Sequence, residues 1–286
     1  MRKLFTIVIY TLLVLLIGRN LPALPRFTLF ANPKEYSETL KKETQEIIKG
    51  KAGNYGIFFA DLTTGQTFGI SEYEIFTAAS MNKVPIIATL YSLERKGKIS
   101  LDEQVTLQKE DMQDYGTGSL RYQKPGSTYS LKTLAKLSLK QSDNTAAHIV
   151  ANKISVETIQ QTIERLGLKQ TSMEDNKTSA YDLYLLFTKL YNYEVTTEAN
   201  TKELLSFMTE TDIEDRIQKT LPPGTVVYHK TGDSVGSIHD AGIIEKDGKR
   251  YFLAILTSDI GDKEQETKET IAAIAKNILE FYSKRE

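Results

Sequence analysis

Strand-like segments are confined to the two ends of this chain, with helical periodicity filling the middle, and that segregation excludes most architectures at once. Near the start, Tyr55–Asp61 and Gln66–Ile70 flank the turn Leu62-Thr63-Thr64-Gly65, the pattern of a hairpin. After Pro222-Pro223-Gly224, the segments Val226–Lys230, Ala241–Glu245 and Tyr251–Thr257 read as three further strands, the last two joined across Lys246-Asp247-Gly248. Between these ends lie helical periods at Met81–Arg95, Leu131–Lys140, Asp143–Asn152, Val156–Leu166, Ala180–Tyr191 and Thr201–Phe207, with Gly97 and Gly167 as stops. Amphipathic helices at Glu35–Ile48 and Lys263–Tyr282 open and close the pattern. Strict βα alternation would give a parallel sheet. This order instead predicts an α/β (α+β) fold in which five antiparallel strands, drawn from both ends of the chain and flanked by helices, pack beside an all-helical lobe.

Composition narrows the chemistry. A net charge of −1 over 286 residues lacks the basic surplus that nucleic acid demands, so no nucleic-acid partner is expected. There is no cysteine, which removes disulfides, thiol catalysis and thiolate metal sites. His148, His229 and His239 are scattered without metal-ligand spacing, so neither a metal nor another cofactor is expected. His229 and His239 read as packing residues. Arg2 and Lys3 precede the apolar run Leu4–Ile17, which marks residues 1–20 as a signal peptide or N-terminal membrane anchor. The run falls short of the ~20 residues that span a bilayer. Leu21 and Leu29 spoil small-x-small cleavage sites ahead of Ala23 and Ala31, which favours an uncleaved anchor. Residues 21–34 then form a Pro-punctuated tether and 35–286 an exported domain. That domain is expected as a monomer at the outer face of the cell membrane, or secreted.

Three short motifs occur once each, in order: Ser80-Met81-Asn82-Lys83, Ser142-Asp143-Asn144 and Lys230-Thr231-Gly232. Ser80 sits where a helix begins and shares a helix face with Lys83, three residues on. A serine hydroxyl is a weak nucleophile until a base takes its proton, and Lys83 is the candidate base. It can serve only if its pKa falls toward neutrality, through burial and the like charge of Lys230. Ser142 opens the next helix and suits a proton shuttle; Asn144 suits a substrate amide and Lys83. Lys230-Thr231-Gly232 is expected to end a strand whose edge can pair with an extended substrate backbone, with Gly232 allowing close approach. The backbone N–H groups of Ser80 and Asp233 are the expected oxyanion donors.

With Phe76-Thr77-Ala78-Ala79-Ser80, Gly126-Ser127-Thr128-Tyr129-Ser130-Leu131 and His239-Asp240-Ala241-Gly242, these motifs resemble those of class A β-lactamases and their penicillin-binding relatives. The resemblance runs from about Tyr55 to the C-terminus. It implies a β-lactamase/transpeptidase-like fold with the active site between sheet and helical lobe, and acylation of Ser80 by a β-lactam or a peptidoglycan D-Ala-D-Ala stem peptide. Lys230 and Thr231 would then face the carboxylate those substrates share. One element departs. Class A β-lactamases carry an Ω-loop with Glu-x-x-Leu-Asn, whose glutamate activates the deacylating water; here the stretch Lys169–Ser179 lacks it. Glu174 or Asp175 are the candidate substitutes, though both read better as surface turn residues. The expectation is therefore a D,D-peptidase-like penicillin-binding enzyme that releases β-lactams poorly. The alternatives are a class A-type β-lactamase and a membrane-tethered sensor or wall-binding module.

Overall fold

A computed structural model describes residues 33–283. The N-terminal segment read as signal or anchor, and most of the tether, lie outside the described residues. Among the described residues no helix is long and apolar enough to cross a membrane.

Five strands form one antiparallel sheet in the order β2-β1-β9-β8-β7, with β1 Asn54–Asp61, β2 Thr67–Ile70, β7 Val226–Ser234, β8 Ser237–Lys246 and β9 Lys249–Ser258. The N-terminal hairpin joins the C-terminal strands through β1 and β9, which register from Asn54 opposite Ser258 to Asp61 opposite Tyr251. The sheet is therefore assembled from both ends of the chain. Both of its faces are covered, and the two-residue repeat of a strand shows how. Phe58 points to one face, meeting Tyr181 edge-on at 5.2 Å; Phe59 points to the other, stacking on Phe68 at 5.3 Å and lying near Tyr282. Tyr181 belongs to α6 (Ala180–Tyr191), Tyr282 to the closing helix α8 (Glu264–Ser283). Burial on both faces explains why β1 and β9 read as nearly unbroken apolar runs rather than clean alternation.

The remaining helices are α1 Pro33–Ile48, α2 Lys83–Arg95, α3 Leu131–Lys140, α4 Asn144–Ile154, α5 Val156–Arg165 and α7 Glu198–Ser206. Helix α2 is buried along most of its length, from Lys83 through Ser92, which makes it the axis of the helical lobe. Its neighbours start on side-chain caps: Ser130 accepts from Thr133 N, Asp143 from Ala146 N, Ser155 from Thr158 N and Ser179 from Asp182 N. Two small strand pairs add ties that the sequence pattern does not announce. β3 (Phe76–Thr77) pairs with β6 (Lys177–Thr178), and β4 (Gln104–Thr106) with β5 (Thr128–Ser130).

Two local expectations need correction. Lys230-Thr231-Gly232 does not end its strand: β7 continues to Ser234, because pairing with β8 runs without a break from Val226 opposite Glu245 to Ser234 opposite Ser237. Nor does an α-helix begin at Met81. A 3-10 turn over Ala79–Asn82 comes first, and α2 starts at Lys83.

Candidate active site

The three motifs meet in one cleft of about 450 Å³, lined on one side by Ser80, Asn82 and Lys83, on another by Tyr115, Gly116, Thr117, Ser142 and Asn144, and on a third by Thr231, Asp233, Ser234 and Val235. Each wall is fixed by its own local structure. Ala79 holds φ +48° and Ser142 φ +54°, left-handed conformations that cost a non-glycine residue about 1–2 kcal/mol each. The first starts the tight turn bearing Ser80; the second turns the chain out of α3, so that Asp143 can cap α4. Asp143 is buried and spends its other oxygen on Leu120 N at 2.8 Å, tying the cap to the loop before it. That loop packs against the cap closely enough that a Cβ on Gly118, at φ +112°, would stand 2.2 Å from Asp143 Cγ. The third wall leans on the first. A Cβ on Gly232 would lie 3.2 Å from Met81 Cγ and 3.3 Å from the Ala78 carbonyl.

Lys83 is the centre of the arrangement. Its side chain is 3% exposed, and Nζ lies 3.0 Å from Ser80 Oγ, 2.5 Å from the Ser142 carbonyl, 3.1 Å from Ser142 Oγ and 2.6 Å from Asn144 Oδ1. The orientation of the Asn144 amide is fixed by Nδ2, which donates to the Tyr115 carbonyl at 3.1 Å. The two nearest partners of Nζ are therefore pure acceptors. A neutral amine gives its two N–H groups to them and turns its lone pair toward the hydroxyls. Burial lowers the Lys83 pKa to about 7, against a smaller opposing pull from Asp143. Lys230 repels the same charge: its own amine is pushed well below its ordinary value first by burial, then by Lys83 and Arg216. Lys230 Nζ donates to Ser142 Oγ at 2.9 Å and to the Thr231 carbonyl at 2.7 Å. Ser142 Oγ thus bridges two buried amines, a chain along which a proton can pass.

The strand wall presents backbone groups. His229 N donates outward, to the Met208 carbonyl at 2.7 Å, while the regular β7–β8 register occupies the other side. By the two-residue repeat Thr231 and Asp233 turn their N–H and C=O groups to the same free edge, where the cleft lies. Asp233 N and Ser80 N therefore belong to residues on facing walls of one cavity.

Glu174 and Asp175 sit elsewhere. They occupy a turn closed by the pairing of Ser172 with Lys177; Asp175 accepts from Ser172, and Glu174 lines a separate surface cavity with Val156, Gln160 and Glu164. The residue of that turn that reaches the cleft is Asn176. Its carbonyl accepts from Ala78 N at 2.7 Å, and its Oδ1 from Asn82 Nδ2 at 2.9 Å. Among the described residues lining the cleft, the one carboxylate is Asp233, on the opposite wall.

Two of the three histidines, His229 on β7 and His239 on β8, are fully buried. His229 lies between Asp240 at 2.8 Å and Glu214 at 3.2 Å; burial works against its charge, but the two carboxylates raise its pKa to about 9. His239 donates from Nε2 to the Thr77 carbonyl at 2.8 Å and accepts from Thr257 N, and burial holds it neutral, with a pKa of about 4. It fastens the strand leading to Ser80 onto β8. Arg216, which sequence reasoning missed, is fully buried and donates to the His239 carbonyl at 2.8 Å and to Asp233. It stands in a loop without periodicity, and no local pattern announces partners so far along the chain. Among the described residues no group of three His, Asp or Glu side chains could hold a metal ion.

The chain is similar over most of its length to proteins already described. Beta-lactamase VEB-1 of Pseudomonas aeruginosa is 22% identical over 279 residues, spanning 88% of this chain and 93% of that protein. The structure of PBP-A superposes with a TM-score of 0.81 at 26% identity, covering 86% of this chain and 96% of that one. A single-substitution mutant of PBP-A, solved as an acyl-enzyme complex with penicillin G, gives the same TM-score and identity and covers 86% and 97%. The Beta-lactamase2 family, described as the beta-lactamase enzyme family, matches residues 39–282. With a match across almost the whole described chain, and with Ser80, Lys83 and a Ser/Asn wall gathered in one cleft, this protein belongs to the β-lactamase enzyme family of serine hydrolases.

Proposed function

We infer that this protein is a penicillin-recognising D,D-peptidase-type enzyme, acylated at Ser80 by D-Ala-D-Ala stem peptides and, as mimics of these, by β-lactams. Lys83 takes the Ser80 proton while Oγ attacks the carbonyl, and the N–H groups of Ser80 and Asp233 receive the oxyanion. The proton then passes from Lys83 through Ser142 to the leaving amine as the amide bond breaks. Acylation of the PBP-A mutant by penicillin G supports the covalent step.

The observation that carries the choice between peptidase and β-lactamase is the turn facing Ser80. It brings the Asn176 amide, hydrogen-bonded to Asn82, into the cleft and no carboxylate that could activate a deacylating water. A positioned general base is worth about 10²–10⁴-fold in rate, so an amide there leaves a β-lactam acyl-enzyme long-lived. The test is labelling of the purified protein with a fluorescent penicillin. The expected result is one label per chain, absent in Ser80→Ala and released slowly. Equal labelling of Ser80→Ala overturns the reading. Stem peptides lie outside the cell membrane, so this function requires export, for which the basic and apolar residues 2–17 are suited; fractionation of cells followed by immunodetection tests that.

A further inference from the structure

The wall formed by Lys230, Thr231 and Asp233 is the natural seat for a substrate carboxylate, yet its cations are already engaged. Lys230 is 2% exposed, bound to Ser142 Oγ and the Thr231 carbonyl, and disfavoured as a charge by its burial. The permanent cation beneath this wall is Arg216, since a guanidinium does not deprotonate in a protein. Its Nε meets Asp215 Oδ1 at 3.1 Å, and its Nη1 meets the carbonyls of His239 at 2.8 Å and Gly232 at 3.4 Å. Nη2 lies 2.7 and 2.8 Å from the two oxygens of Asp233. Asp215 is shared with Lys268 at 2.8 Å. Asp233 differs from the other partners because it lines the cleft, with 46% of its side chain exposed over a guanidinium that is 0% exposed. A carboxylate of the chain itself therefore stands between the fixed positive charge and any ligand.

We propose that Asp233 is a specificity determinant: its carboxylate occupies Arg216 and neutralises this wall, so a substrate carboxylate must compete with it for the guanidinium. The cleft then gains less from the terminal carboxylate of a D-Ala-D-Ala end or a β-lactam than an open guanidinium would give, and it also admits acyl donors that carry an amide at this position, such as a peptide that continues beyond the residue following the scissile bond. This rests on the reading that Ser80 is acylated, and it sets the substrate range of that same site.

The test compares second-order acylation rate constants for benzylpenicillin and for its uncharged methyl ester in the full-length protein. The variants are Asp233→Asn, Asp233→Ser and Asp215→Asn, each checked for an unchanged circular dichroism spectrum. The quantity read is the preference ratio, carboxylate over ester. It should rise about tenfold in both Asp233 variants, the return on one charge-assisted hydrogen bond to the released guanidinium. Asp215→Asn, which removes a charge from the same arginine but none from the cleft, should move the ratio less than about twofold, because solvent and salt screen exposed charges. An unchanged ratio in the Asp233 variants, or an equal rise in Asp215→Asn, overturns the proposal while leaving acylation at Ser80 intact. Absence of a Ser80-dependent adduct with either probe in every variant overturns the functional reading, and the specificity role falls with it.

Discussion

Replacing Lys83 with arginine keeps a cation three residues from Ser80 and removes the possibility of a base. The magnitude follows from burial. Lowering a lysine from 10.5 to about 7 corresponds to roughly 5 kcal/mol of penalty on the ammonium form. At pH 7 that raises the neutral fraction from well under about 0.1% to about half, a gain on the order of 10³ in usable base. The protonation sense sets the pH profile: Lys83 is an ammonium below about 7 and a free amine above it. Acylation by a fluorescent penicillin, followed by stopped flow, should therefore rise about thirtyfold between pH 5.5 and 8.5 and level off. Lys83→Arg should lose about 10²–10⁴-fold at pH 8, and its residual rate should show no ascending limb near 7. A wild-type profile flat across this range, or an arginine variant keeping a tenth of the rate, would refute the assignment of Lys83 as base.

Other consequences are open to the same kind of measurement. Ser142→Ala deletes the hydroxyl bridging Lys83 and Lys230 and should slow acylation by about 10²-fold, with thermal stability close to that of wild type. Gly118→Ala sets a Cβ against Asp143 at φ +112° and should cost about 2–3 kcal/mol in urea unfolding, through the α4 cap. Asp240→Asn leaves a buried imidazolium with one carboxylate partner and should destabilise the fold by about 3 kcal/mol near pH 6.5. His229 is raised above its unfolded pKa, so its contribution is complete below about 6.5 and fades as pH climbs through about 9. The buried Lys83 ammonium works in the opposite sense, so the gap between wild type and Asp240→Asn is the quantity to follow, and it should narrow toward pH 9.

The parts of this molecule legible in its sequence are those fixed by local chemistry. The helices Leu131–Lys140 and Ala180–Tyr191 fall on their expected bounds, because each has an apolar stripe and begins just after a Ser cap. The five-strand count follows from turn residues and apolar runs. The full extent of strand β7 is less visible, because Gly232, Asp233 and Ser234 are poor strand formers and only the long-range partner β8 keeps them extended. The Ser80, Ser142 and Lys230 walls are visible as motifs, whereas the left-handed turns at Ala79 and Ser142 that aim them are not. Alanine and serine carry no mark of positive φ, and surrounding packing imposes it. Asn176 and Arg216 belong to the same class: each acts through partners distant in the chain, and neither stands in a periodic segment.

The central claim is that Ser80 captures a β-lactam readily and gives it up slowly. The decisive measurement is the progress curve of a chromogenic cephalosporin mixed in excess over the purified protein. The expected trace is a burst equal to one chromophore per chain followed by a nearly flat phase, with the burst lost in Ser80→Ala. Linear hydrolysis far beyond one equivalent, without a burst, would contradict it and identify a working β-lactamase.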